Sequence, residues 1–170
     1  TADCYGEGRV ETMIGEVLKA QGRGAAFVST RVGVDRDHEL TRKNFTPKYL
    51  TAACERSLKR LQTDHVDALV LHNPQVGTIT GGDAWQCLEG LKAAGKARAI
   101  GVSVSTVEAG EAAAALAPDL LVMPYNLVFS QVLHRLAGVL SAGPIGVVAR
   151  SPYGYGVLAD TWGASRRFRD

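Results

Sequence analysis

Val66-Asp67-Ala68-Leu69-Val70-Leu71-His72-Asn73-Pro74 is the stretch on which the fold turns. Four of the five residues before His72 are apolar, which fits a strand covered on both faces, as in a parallel sheet. Pro74 stops that strand, because it has no N–H for a ladder and restricts the backbone of Asn73. His72 is thereby delivered to the point where buried sheet becomes exposed loop. In parallel α/β folds that rim is where sites are built. Taken alone, one histidine in such a place is more simply a satisfied core or loop residue, so its neighbours must decide.

Working outward, the chain alternates. Residues 1–8 read as a loop, and Val10, Met13, Ile14, Val17 and Leu18 recur with a 3.6-residue period that predicts an amphipathic helix over 10–20. Glycines at 22–24 end it, and a short apolar strand over 25–32 finishes at Arg31. A polar loop covers 33–45. Thr46 and Pro47 then open a helix over 46–61 as cap and first helical residue. After the 66–71 strand and a Gly-rich loop, helices are expected at about 83–94, 106–117 and 130–142. Strands are expected at 97–103, 120–125 and 145–150, with a loop at 151–156. Strand spacings of this kind match βαβ units with right-handed crossovers.

Two architectures accommodate five such units. A nucleotide-binding doubly wound sheet should carry G-x-G-x-x-G after its first strand, and no strand here is followed by it. Gly6 and Gly8 precede a helix, but Glu11 stands where the third glycine belongs. The alternative is a (β/α)8 TIM barrel, which normally takes about 250 residues, so 170 residues would form part of one. The chain opens on Thr1, without a Met, inside a motif, and closes on Asp170 in a polar stretch. The expectation is one incomplete barrel domain over 1–170. A true 170-residue chain would instead leave sheet edges bare and self-associate.

Composition narrows the function. With 46% hydrophobic residues, 21% charged and a formal charge of +2, the chain is ordinary for a globular protein and gives no reason to expect nucleic acid or an acidic membrane surface. The basic run Arg166-Arg167-Phe168-Arg169 reads as a solvated tail. Cys4, Cys54 and Cys87 are odd in number and lack C-x-x-C spacing. That points away from a disulfide framework and a zinc site, and towards a reducing cytoplasm. No apolar run reaches the length of a membrane helix, and no signal peptide is read.

The expected strands end in Arg31, His72, Ser103, Tyr125-Asn126 and Arg150-Ser151. A barrel brings such ends to one rim around one cavity. Five polar ends in succession, two cationic and one an imidazole, raise His72 from a structural residue to a candidate for catalysis.

These residues also carry a resemblance. T-A-D-C-Y-G-E-G-R-V-E at the start resembles a segment of the aldo-keto reductase family that normally begins with Asp just before the Thr. S-L-K-R-L-Q-T-D-H-V-D-A-L-V-L-H-N-P, ending at Pro74, looks like its third-helix and fourth-strand signature. G-K-A-R-A-I-G-V-S and A-R-S-P-Y-G-Y-G-V-L are similar to its fifth strand and the loop after its seventh. The resemblance covers nearly the whole chain in order. It implies reduction of an aldehyde or ketone to an alcohol by hydride from NADPH, with NADH not excluded, and a small carbonyl compound, a sugar or polyketide-type one, as substrate.

Of the family's four catalytic residues, the resemblance puts Tyr on Tyr5, His on His72 and Lys on Arg31, while the Asp would precede Thr1; Asp3 is at another point of the motif. A carbonyl receiving hydride gathers negative charge on oxygen and needs an acid and hydrogen-bond donors. A cation near a tyrosine favours its anion and so its action as an acid. Arg31 can supply that charge but cannot lose a proton, and its planar fork does not fit the space of an ammonium. Weakened or redirected chemistry follows as an expectation, with His72 carrying more of the acid role. For the cofactor, Ser103 matches the serine that holds the nicotinamide amide, and Ser151, Pro152, Tyr153 and Gly154 match the pyrophosphate loop. Arg150 stands where an aromatic ring often stacks on nicotinamide. Val104 and Val122 replace the usual Asn and Gln. With Arg31 they motivate a second reading, a catalytically weak relative that binds cofactor as a sensor or regulatory subunit.

Overall fold

The computed structural model describes residues 1–35 and 42–159. The basic run at 166–169 and the middle of the 33–45 loop lie outside them. Gly8, at φ +89°, leads into α1 (Arg9–Gln21), and Gly22, at φ +90°, ends it. β1 (Ser29–Val32) follows. β2 (Val34–Asp35) and β3 (Arg42–Lys43) then pair antiparallel as a two-residue ribbon. α2 (Pro47–Leu61) starts with the Thr46 hydroxyl accepting from the Tyr49 amide, so the cap is the one the sequence implies. Next come β4 (Val66–His72), α3 (Val76–Gly81), α4 (Asp83–Ala93) and β5 (Ala97–Ser103). α5 (Val107–Ala114), capped by Thr106, precedes β6 (Leu120–Pro124), α6 (Gln131–Ser141) and β7 (Gly146–Arg150).

Five strands form one parallel sheet in the order β1-β4-β5-β6-β7, each joined to the next through at least one helix. The register aligns His72 with Ser103, Ser103 with Val122 and Pro124 with Arg150. All C-terminal strand ends therefore share one rim. This is the arrangement of part of a (β/α)8 barrel, as expected. One core lies between sheet and helices, centred on Leu50, Leu61, Leu69, Leu71, Leu88 and Leu121. A smaller one on the inner face joins Ala68, Val70, Leu120 and Val122.

The structure departs from the sequence reading in three respects: the start of β1, two loops that contain short elements, and the face that α1 buries. The strand expected from residue 25 begins at Ser29, because the Arg23 guanidinium holds the carbonyls of Ala26 and His65 and keeps the residues before it in a turn. The polar loop after β1 contains the β2–β3 ribbon, and the Gly-rich loop before α4 contains α3. The third departure concerns which side of α1 is buried. Only part of the apolar stripe is buried: Leu18 lies in the core and Ile14 packs against it, but Met13 and Val17 are 65% and 59% exposed, and Glu11 and Gly15 are buried in their place. A Cβ on Gly15 would stand 2.3 Å from the Arg60 carbonyl oxygen, so glycine is what lets α1 lie directly on α2. Glu11 is buried beside it because Arg60 pairs with one carboxylate oxygen at 2.6 Å and the Thr30 hydroxyl donates to the other.

Asp67 anchors the opposite end of the sheet. It accepts from the Val28 amide at 2.7 Å and pairs with Arg23 and Arg98. Burial pushes its carboxyl up, but these donors and charges outweigh it and hold the group below the usual carboxylate range. No described helix is long and apolar enough to cross a membrane.

Candidate active site

Tyr5 is placed by a segment that runs beside β1. The Thr1 nitrogen donates to the Ser29 carbonyl at 2.7 Å and the Asp3 amide to the Arg31 carbonyl at 2.9 Å. Gly6 and Glu7 then take left-handed conformations at φ +56°, turning the chain into α1 immediately after the phenol. Across from it, β4 ends with His72, whose carbonyl oxygen accepts from Lys43 Nζ of the ribbon at 2.6 Å. The Tyr5 and His72 rings meet edge to face, 6.1 Å between centroids and 84° between planes.

Arg31 links the pair. Its Nη2 donates to the Tyr5 hydroxyl, its Nε to the Thr1 carbonyl, and its guanidinium carbon lies 5.1 Å from the centre of the Tyr5 ring. The positive charge therefore sits on the oxygen that would become a phenolate. His72 is pulled in the other direction. Burial, then the charges of Arg31, Lys43 and Arg150, hold its pKa down to about 3. Burial and these charges disfavour an imidazolium at His72 near neutral pH, which speaks against the larger acid role expected of it. A neutral ring of this kind can offer a hydrogen bond.

These residues line a cavity of ≈ 380 Å³ with Asn73, Arg150, Ser151 and Tyr155. Ser103 is fully buried and donates to Asn73 Oδ1 at 2.8 Å, so it reaches this cavity through Asn73, which sits at φ +51°. Arg150 donates to the Ser105 hydroxyl at 2.8 Å and to the hydroxyls of Ser151 and Tyr155 at 3.4 Å. Its Nε is buried without an acceptor. The loop after β7 turns back on itself, with Ser151, Gly154, Tyr155 and Gly156 at positive φ. Gly154 is buried against Asn126, whose Nδ2 donates to the Ser151 carbonyl at 2.8 Å.

The candidates thus divide. Tyr5, Arg31, His72, Arg150 and Ser151 share one cavity, and Ser103 adjoins it. Pro152 and Tyr153 are exposed and do not line it, whereas Tyr155, two residues on, does. P-Y-G-Y-G offers two tyrosines, and only the backbone reversal between them selects the second. Lys43 and Ser105 were also missed; both lie in short polar stretches without a pattern. Asp3 sits behind Tyr5, where burial and the nearby charge of Glu11 push its carboxyl up to about 7.

Comparison with known proteins agrees with this geometry. The model of the Aldo/keto reductase family matches residues 1–169. An aldo-keto reductase of Bacillus subtilis, YhdN, is 33% identical over 129 residues, covering 75% of this chain and 39% of that protein. The NADP(+) aldo-keto reductase yakc of Schizosaccharomyces pombe is 31% identical over 173 residues, covering 95% and 49%. Among solved structures, an aldo/keto reductase from Klebsiella pneumoniae in complex with NADP and acetate superposes with a TM-score of 0.74 at 25% identity, over 94% of this chain and 54% of that one. AKR11C1 from Bacillus halodurans, in its holo form, gives 0.84 at 24% identity, over 100% and 55%, and supports the fold. A five-stranded parallel sheet with its polar strand ends on one rim, in a chain that the family model matches over residues 1–169, settles the class: this chain belongs to the aldo/keto reductase family. It spans about half the length of the curated relatives it matches.

Proposed function

We propose that the protein of which this chain is part reduces an aldehyde or ketone to an alcohol with NADPH. The observation that carries the reading is the Arg31–Tyr5–His72 arrangement at the open rim, a phenol bonded to a permanent cation beside a neutral imidazole. When bound, the reduced nicotinamide supplies the hydride. The chain's own residues supply the rest. Tyr5 gives its proton to the carbonyl oxygen as charge gathers there, and Arg31 stabilises the phenolate left behind. His72 orients the carbonyl through a neutral hydrogen bond.

The residues present fit a nicotinamide cofactor. The buried Ser103–Asn73 pair offers both donor and acceptor groups for an amide. The unpaired Arg150 Nε and the reversed backbone at 151–156 suit an anionic group. The relatives' cofactor is named NADP for the fission-yeast and Klebsiella proteins, which favours NADPH over NADH.

A second reading, a cofactor-binding sensor with little turnover, is favoured by Val104 and Val122, both buried and without polar groups to offer. One substitution separates the two. Arg31 donates from two different nitrogens, to Tyr5 and to Thr1, and a lysine head cannot reproduce that fork. In a working reductase Arg31→Lys lowers kcat by about tenfold, roughly 1.4 kcal/mol of barrier, and Tyr5→Phe abolishes it, both followed as NADPH absorbance loss over a panel of aldehydes and ketones. A gain of turnover in Arg31→Lys would instead mark a degraded site and establish the sensor reading.

A further inference from the structure

The segment that carries Tyr5 brings two more donor groups against His72. Cys4 Sγ lies 3.9 Å from His72 Nδ1, and a carboxylate oxygen of Asp3 joins them, with the three donor atoms within 4.8 Å of one another. Asp3 is 8% exposed, and its Oδ1 has no hydrogen-bond partner. Buried carboxylate oxygens are rarely left without a donor. Among the described residues no donor satisfies this one.

Thiolate, imidazole nitrogen and carboxylate are the donor set of zinc-class cations, and three protein ligands leave a fourth position open. We propose that Asp3, Cys4 and His72 form an inhibitory site for a zinc-class divalent cation, which holds His72 through Nδ1 and withdraws it from the carbonyl. This rests on the reading of His72 as the group that orients substrate. Metal–ligand bonds of roughly 2.0–2.3 Å place tetrahedral donors roughly 3.5 Å apart, so binding draws the three together by about an ångström. Asp3 and Cys4 can make that movement, because they precede the Tyr5 turn and belong to neither helix nor strand.

Charge is the main objection, since Arg31, Lys43 and Arg150 all face His72. The ligand set answers it. The Cys4 thiol, and the Asp3 carboxyl where burial keeps it protonated, lose their protons to solvent as the metal bonds form, so thiolate and carboxylate together cancel the charge of the ion. The surrounding cations then meet a neutral centre. Asp3 and Cys4 also line a cavity of ≈ 430 Å³ in which the acids Glu7 and Asp35 stand beside Arg56 and Arg60, so the site opens to solvent without a net acidic lining. Cysteine spacing could not reveal this site, because its ligands lie 68 residues apart in the chain.

The test is a Co2+ titration of the reduced protein, kept so with a phosphine, without cofactor. The expected result is a thiolate-to-cobalt charge-transfer band in the near ultraviolet, saturating at one ion per chain and erased by Zn2+. Cys4→Ser loses that band. Asp3→Asn keeps it with affinity lower by at least about tenfold. Cys54→Ser and Cys87→Ser keep it unchanged, and circular dichroism shows whether each variant is folded. In turnover, Zn2+ inhibits the wild type reversibly on chelation and Cys4→Ser resists it. The absence of the band in the wild type, its survival in Cys4→Ser, or binding without inhibition would each overturn the proposal. The cobalt spectrum needs no turnover. A failure of carbonyl reduction therefore leaves it readable, and a missing band beside normal turnover sinks the metal site alone.

Discussion

At the scale of single residues, the electrostatics of His72 make a pH prediction with a definite sign. Its pKa falls from an unperturbed value near 6.5 to about 3 through burial and the charges of Arg31, Lys43 and Arg150. The folded protein therefore refuses a proton that the unfolded chain accepts below about pH 6.5. The stability contributed by the neutral ring is full above that value and is lost as pH falls towards 3. Nuclear magnetic resonance of the ring nitrogens should find His72 neutral throughout pH 8 to 5, and kcat should show no inflection near 6.5. Lys43→Met removes one of the cations and the bond to the His72 carbonyl, so the His72 titration should move upward. An unchanged titration would mean that Lys43 does not act on the ring. That His72 ends a strand at the rim was legible from its apolar run, and its candidacy for a site came from the other polar strand ends. Its charge state was not legible, because burial in the folded rim and cations brought there from β1, β3 and β7 set it.

At the scale of elements, the contact between α1 and α2 depends on a residue without a side chain. Any Cβ on Gly15 meets the backbone of Arg60 and Leu61 at 2.3–3.0 Å, where neither helix can give way cheaply. Gly15→Ala should cost about 1–3 kcal/mol, the range for overpacking, read as a lower urea midpoint. The buried carboxylate next to it is more sensitive. Glu11→Ala leaves Arg60 without its partner and Thr30 without its acceptor, and losing one member of a buried pair costs about 3–5 kcal/mol. A loss within 0.5 kcal/mol would show that water replaces the carboxylate. These helices also mark where the sequence stops informing. Periodicity located α1 correctly, since Val10, Met13 and Val17 repeat as a helix does. It did not reveal the whole buried face, which takes in Glu11 and Gly15 beside Ile14 and Leu18, because the burial of Glu11 depends on Arg60, 49 residues away in the chain. The parallel order of the strands was legible because each carries its own apolar run. The β2–β3 ribbon and α3 were not, being too short to establish a period.

At the scale of the whole molecule, what decides the behaviour of this chain is that its sheet is not closed among the described residues. β1 and β7 stand at the two ends of the strand order, each pairing on one side alone. β7 is exposed along its length, with Val147 and Val148 at 40% and 45%. Near the other end, α1 turns Val10, Met13 and Val17 outward. A parallel strand is ordinarily covered on both faces, and an uncovered apolar edge is a template for pairing with another chain. The 18.0 kDa chain produced alone should therefore self-associate, with a light-scattering mass that rises with concentration. Val148→Lys places a charge on the exposed strand and should lower that mass while far-ultraviolet circular dichroism stays the same. A longer form that completes the barrel would bury the same edges, remain monodisperse and lose the effect of Val148→Lys. If the 18.0 kDa chain instead stays monomeric at high concentration with both edges bare, the twist of the β7 edge, and not its chemistry, must be what keeps it from pairing.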